Sequence, residues 1–189
     1  MNNMYFIAGH HGVGKTFLVN ELKKEIDLTH FDTGPMIRAL YAKSNTDVSF
    51  KSWILAGEEK YGLDFTNQII CQEMKQNLKN DTPNIVITGN RSLEGIMYIS
   101  KYFFITLPSI IYLESPFDLL KTNYEARERI KLTDLEFEKK FLEEIKSGLY
   151  NIRDYVIEHQ DTCLFVHKLN NDDKTVDIVK RKILVKGEQ

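Results

Sequence analysis

Gly9, Gly14, Lys15 and Thr16 stand at the spacing G-x-x-x-x-G-K-[ST] inside the stretch FIAGHHGVGKTFLV. Each residue type answers a need of a bound polyphosphate. The glycines let the chain turn tightly, so that successive backbone N–H groups face phosphate oxygens. Lys15 reaches the terminal phosphates as a point charge, and the Thr16 hydroxyl is a ligand for magnesium. A helix opening here adds the positive end of its dipole. Gly9, His10, His11, Gly12, Val13, Gly14, Lys15 and Thr16 are therefore expected to hold the phosphates of a nucleotide, with Mg2+. His10 and His11 fill variable positions and are expected as exposed loop residues.

Two further stretches carry cations where an anion would want them. In HFDTGPMIRALYA, Pro35 suits the first position of a helix, with Thr33 or Gly34 as cap. That start places Arg38 beside unpaired N–H groups, an anion site with planar, two-pronged geometry. In VITGNRSLEGI, Gly89 allows a sharp turn, Arg91 sits in it, and Ser92 suits a helix cap. Two arginines opposite a phosphate loop point to an acceptor that carries phosphate itself. Asp32 is placed to position magnesium or the acceptor, or to receive the proton of a hydroxyl acceptor.

These residues need a frame that brings them to one edge. The apolar runs MYFIA, IVIT, IIYLE and CLFV do not alternate with polar residues and read as buried strands, with THF before Asp32 as a short fifth. Helix-period segments separate them. Leu18, Val19, Leu22 and Ile26 share a face, as do Ile70, Met74 and Leu78. Leu135, Leu142, Ile145, Leu149 and Ile152 mark one long helix that opens on the capping box Thr133–Glu136. A last helix buries Val176, Val179 and Ile183. Alternating strands and helices make a parallel sheet covered on both faces, and ligands bind at the carboxyl edge of such sheets.

The residues also carry a resemblance. FDTGPMIRAL resembles the D-T-G-x-M-Y-R-A segment of bacterial cytidylate kinases. VITGNRSLE is similar to the D-G-x-R-S-x-E turn of dephospho-CoA-kinase-like and nucleoside-monophosphate-kinase-like proteins, and YEARERIKLTDLEFEKKF resembles their arginine-bearing lid and the helix after it. The correspondence runs in order from Met4 to about Val166. It implies a P-loop NTPase fold: a three-layer α/β/α sandwich on a mainly parallel five-stranded sheet, with a helical acceptor-binding region over 33–80 and a short lid at about 126–133. It implies that Lys15 and Thr16 handle ATP and magnesium, that Arg38 and Arg91 hold the acceptor phosphate, and that Arg127, with Arg129 or Lys131 beside it, closes over the moving phosphoryl group. Asp32 would help to place magnesium. Many such proteins end the third strand with an acid, where this chain has Thr88.

Composition narrows the class. At 189 residues, 42% of them hydrophobic, one domain can fill a core. A net charge of −2 argues against a broad nucleic-acid face or a basic membrane surface. The longest apolar run, YFFITLPSIIYL, is too short to span a bilayer. Cys71 and Cys163 lack metal spacing and read as reduced interior thiols. The expectation is a cytoplasmic enzyme, monomer or homodimer, whose partner is a small phosphate acceptor, most simply a nucleoside or deoxynucleoside monophosphate. A hydroxyl acceptor such as dephospho-CoA, and a nucleotide-binding module with little turnover, are the alternatives. Trp53 is expected to pack a helix of the acceptor region, and Tyr41 and Tyr61 to serve packing ahead of lining a pocket.

Overall fold

A computed structural model describes residues 3–78, 82–168 and 173–186 of the chain. Five strands form one sheet: β1 (Asn3–Ala8), β2 (Thr29–Asp32), β3 (Asn84–Thr88), β4 (Ser109–Glu114) and β5 (Leu164–His167). Their order is β2-β3-β1-β4-β5, and every pairing is parallel. From β1 the chain sets β2 at one edge, fills β3 in between, and then builds outward through β4 and β5 on the other side. The strand order therefore reverses at β1, and a crevice opens above its carboxyl end.

The central strand shows why both faces are covered. Successive side chains of a strand point to opposite faces. Met4, Phe6 and Ala8 join a core with Met74, Ile96, Ile99 and Ile152. Tyr5 and Ile7 join a second core with Leu18, Val19, Leu22, Val179 and Ile183. The first core lies under α4 (Phe65–Asn77), α5 (Leu93–Tyr102) and α8 (Tyr150–Glu158); the second lies under α1 (Lys15–Glu25) and α9 (Asp173–Lys186). A three-layer α/β/α sandwich results. Cys71 and Cys163 are buried and unbonded to each other.

Between β2 and β3 the chain inserts α2 (Thr33–Lys43), α3 (Phe50–Tyr61) and α4. An aromatic cluster joins them, with Trp53 lying 5.6 Å from Tyr41 and 5.3 Å from Phe65 between ring centroids. Tyr41 and Tyr61 belong to this cluster. Gly57 makes it possible, because a Cβ there would stand 2.1 Å from the Phe65 ring.

Two local expectations change. The α2 cap is Asp32, whose carboxylate accepts the Gly34 N–H at 3.2 Å, and the helix already begins at Thr33. Pro35 then lies inside the first turn, where a missing N–H costs nothing. The long helix expected from Leu135 to Ile152 is broken into α7 (Asp134–Glu144), a π-helical turn (Ile145–Leu149) and α8. Gly148 adopts φ 98° inside that turn, and no continuous α-helix passes through such a residue. Leu135 and Leu142 are exposed, while Phe137 takes the buried side of α7. Of the stretch NNDDK at 170–174, a surface turn by composition, positions 170–172 lie outside the described residues, and so do 79–80 of the expected acceptor region.

Candidate active site

The loop between β1 and α1 is shaped by its glycines. Gly9 and Gly12 have φ of 139° and 83°, and a Cβ on either would come within 2.3 Å of a backbone oxygen, of Leu113 and Leu120 respectively. Gly12 is thus as constrained as the motif's own glycines. Asn123 of α6 (Phe117–Glu128) donates its side-chain amide to Gly12 O at 2.8 Å. Lys168, only 2% exposed, donates to Val13 O at 3.1 Å from behind. Lys15 Nζ bends over its own loop and donates to the carbonyls of Gly9 (2.6 Å) and His10 (2.9 Å). Burial, with the positive charges of Arg127 and Arg91, lowers its pKa to about 7 against the pull of Asp32. A polyphosphate would remove that penalty.

Asp32 and Thr88 are side by side at the ends of β2 and β3. Gly89 follows, and a Cβ there would lie 2.8 Å from Asp32 Oδ1, so only glycine lets the β3–α5 turn pass. Ser92 caps α5 through the Gly95 N–H at 3.1 Å. The turn carries Arg91, whose charge feels both Arg38 and Arg127. Neither Arg38 nor Arg91 forms an ion pair with a carboxylate among the described residues. Gly9, His11, Lys15, Thr16, Asp32, Arg38, Arg91 and Arg127 all line one cavity of about 1100 Å³. Its far wall is the inserted helices, through Phe50, Ile54, Glu58 and Asn67.

The stretch expected as a lid is uneven. α6 ends at Glu128 and α7 starts at Asp134, so the connection is short. Arg127 reaches the cavity, half exposed and paired with Glu128 at 2.8 Å. Arg129 forms the helix C-cap at φ 56°, and Lys131 pairs with Glu125 at 3.1 Å. Neither lines the cavity.

The two loop histidines depart from expectation. His10 is buried, 4% exposed, and stacks on Phe141 of α7 with ring centroids 4.0 Å apart. Its Nδ1 lies 2.9 Å from Glu144 Oε2, and its Nε2 is buried with no partner. The His11 backbone N–H donates to the same Glu144 oxygen at 3.1 Å, while its ring Nδ1 bonds Glu144 Oε1. Burial and the charge of Lys15 lower both histidines, His10 to about 4 and His11 to about 3. They are therefore neutral donors to the carboxylate at pH 7. Nothing in the motif announced this, because Phe141 and Glu144 lie far along the chain.

A family model described as an AAA domain matches residues 8–139, more than two-thirds of the chain. The chain belongs to this family. The AAA-domain match agrees with the all-parallel sheet and with a P-loop, kinase-like fold that binds nucleotide, in general with Mg2+. It supports phosphotransferase chemistry in general and leaves the acceptor open. A comparison with curated proteins finds no match.

Magnesium fits the residues that this AAA-domain chain presents. Thr16 and Asp32 both line the cavity, and only Oδ1 of Asp32 is used by the α2 cap. Thr88 does not replace the missing acid, since its hydroxyl shares a 2.9 Å hydrogen bond with His30 Nε2. Among the described residues no cluster of three or more His, Cys, Asp or Glu could hold a metal alone. Magnesium in such sites rests on one or two carboxylates, substrate phosphates and water. Among the described residues no helix is long and apolar enough to cross a membrane.

Proposed function

We propose that the chain is an ATP-dependent phosphotransferase acting on a small phosphorylated acceptor, most simply a nucleoside or deoxynucleoside monophosphate. The observation that carries this reading is the pair Arg38 and Arg91. Among the described residues neither pairs with a carboxylate, and both line the cavity that holds Lys15 and Thr16. The volume, about 1100 Å³, exceeds what one drug-sized ligand usually needs.

Phosphoryl transfer needs in-line placement and neutralisation of charge more than covalent help. The loop N–H groups and Lys15 grip the donor phosphates. Arg38 and Arg91 hold the acceptor phosphate against them. Arg127, on the short lid, adds positive charge over the group in transit. Thr16 and Asp32 would hold magnesium, which when bound offsets charge on the phosphates. The inserted helices carry Phe50 and Asn67 toward the rest of the acceptor.

Incubation with ATP, magnesium and a panel of monophosphates, following ADP, tests the proposal. At least one member should stimulate ADP formation strongly; no stimulation by any member contradicts it. A second reading, transfer to a hydroxyl as in dephospho-CoA, is supported by Asp32 on the cavity wall, and dephospho-CoA in the same panel separates the two. A nucleotide-binding module with little turnover would instead bind ATP tightly and show a rate indifferent to Lys15→Ala.

A further inference from the structure

Every described hydrogen bond and ion pair of the Glu144 carboxylate goes to one place, the two histidines of the phosphate loop. It is largely shielded, with 13% of its side chain exposed. Phe141, one turn earlier on α7, stacks on His10 and fixes that ring. The π-helical turn that follows Glu144 brings Gly148 against the β3–α5 turn, where a Cβ on Gly148 would lie 3.6 Å from Ser92 and 3.7 Å from Arg91 O. One segment therefore touches the phosphate loop and the turn that carries Arg91.

His11 stands between these two parts. Its Nε2 lies 3.2 Å from Arg91 Nη2. A guanidinium has donors only, so Nε2 accepts. An ionised carboxylate accepts only, so Nδ1–H donates to Glu144. A single neutral tautomer satisfies both partners, with the proton on Nδ1 and a lone pair on Nε2 beside Arg91. This is how a carboxylate orients an imidazole for proton transfer.

We propose that His11 is the proton acceptor for the phosphoryl acceptor, and that Glu144 is the positioning residue that sets its tautomer and direction. The proposal rests on the phosphotransferase reading of this cavity. An anion gripped by Arg91 competes for Nη2–H and draws it off Nε2, leaving the lone pair next to the bound acceptor. The acceptor oxygen then gives its proton to Nε2: an O–H bond breaks and an N–H bond forms. The electron pair left on that oxygen forms the new bond to the γ-phosphorus of ATP, and the bond to the bridging oxygen breaks with its electrons leaving on ADP. Glu144 stabilises the imidazolium until water takes the proton after product release. The step suits a hydroxyl, or a phosphate in its singly protonated form.

The groups facing His11 are Lys15 and His10 from its own loop, Arg91 from the β3–α5 turn, Tyr124 and Arg127 from α6 and Glu144 from α7. Burial, and after it the charges of Lys15, Arg91 and Arg127, hold the imidazole well below its usual pKa in the free protein. Bound phosphates neutralise those cations, so the charge part of that depression is relieved when both substrates are in place.

The test uses the full chain, ATP and whichever of a monophosphate panel and dephospho-CoA proves to be the acceptor. His11→Asn and Glu144→Gln should each lower kcat by about a hundredfold, the range for losing a general base, with ATP affinity within about twofold of wild type. Each should also flatten the acid limb of the kcat profile. Independently, imidazole nitrogen NMR of the free wild type should show Nδ1–H on His11, and Glu144→Gln should populate the other tautomer. With a hydroxyl acceptor the loss should persist at every pH; with a monophosphate it should shrink as the pH rises above the phosphate's second pKa, about 6. Variants turning over within about threefold of wild type, or an Nε2–H tautomer in the wild type, would overturn the proposal while leaving the phosphotransferase reading intact. A wild type that transfers to no acceptor would end both.

Discussion

In the proposed reaction, Lys15 is the residue on which the donor side depends. Its amine is buried under the positive charges of Arg127 and Arg91 and has a pKa of about 7, so at neutral pH about half of it is uncharged in the free protein. Triphosphate binding favours the charged form. ATP binding at pH 8 should therefore take up more protons than at pH 6, a difference that calorimetry in buffers of unequal ionisation enthalpy will register. Binding enthalpies independent of buffer would contradict this account of the amine. On the acceptor side, Arg38→Ala should raise the acceptor KM roughly ten- to a hundredfold, the value of a hydrogen bond to a charged group, with ATP affinity little changed. Loss of ATP binding with acceptor affinity intact would mean the two sides are assigned the wrong way round. At this scale the sequence was informative where chemistry repeats in short segments: Gly9, His11, Lys15 and Thr16 of the loop, Asp32 with Arg38, and Arg91 all line one cavity. It was silent on Glu144, Asn123 and Lys168, which reach the loop from residues more than a hundred positions away.

The elements explain why those segments converge. β1 and β3 pair in parallel with Ile7 opposite Thr88, so the phosphate loop and the Arg91 turn leave the sheet together. Asp32 is opposite Thr88 and brings α2 to the same level. These strands were legible because buried parallel strands are unbroken apolar runs. The break at Gly148 was not, because a periodic apolar pattern says nothing of a left-handed residue within it, and Leu135 and Leu142 keep the helical spacing while facing solvent. In the inserted helices, Gly57 is the close-contact point of α3 with Phe65. Gly57→Ala should cost about 1–3 kcal/mol, as overpacking does, and loosen the wall that carries Phe50 and Ile54. Chemical denaturation would show the lost stability, and the acceptor KM should rise while ATP affinity holds. An unchanged midpoint would mean that α3 and α4 do not pack as described.

The whole molecule carries the cost of neutral groups at its centre. His10 is buried with a pKa of about 4, against about 6.5 in an unfolded chain. Between those values the unfolded chain binds the extra proton, so stability present above pH 6.5 is lost as the pH falls toward 4. At pH 5 the loss from His10 is about 2 kcal/mol. Lys15 acts with the same sign higher up, since its depressed pKa makes the free protein more stable as pH rises from 7 toward 10.5. Thermal melts should therefore show a lower midpoint at pH 5 than at pH 7.5, and His10→Asn should narrow the gap; an equal gap in the variant would place its origin elsewhere. The central claim is that two anion pockets share a single cavity, one for a donor and one for an acceptor. A dinucleoside pentaphosphate carrying adenosine at one end and the best acceptor nucleoside at the other would span both, and the second contact would be intramolecular. The measurement is its dissociation constant beside that of ATP, in wild type and in Arg38→Ala. The account predicts binding at least a hundredfold tighter than ATP, with most of that advantage lost in Arg38→Ala; a bridged ligand that binds no better than ATP, or one indifferent to Arg38, would contradict it.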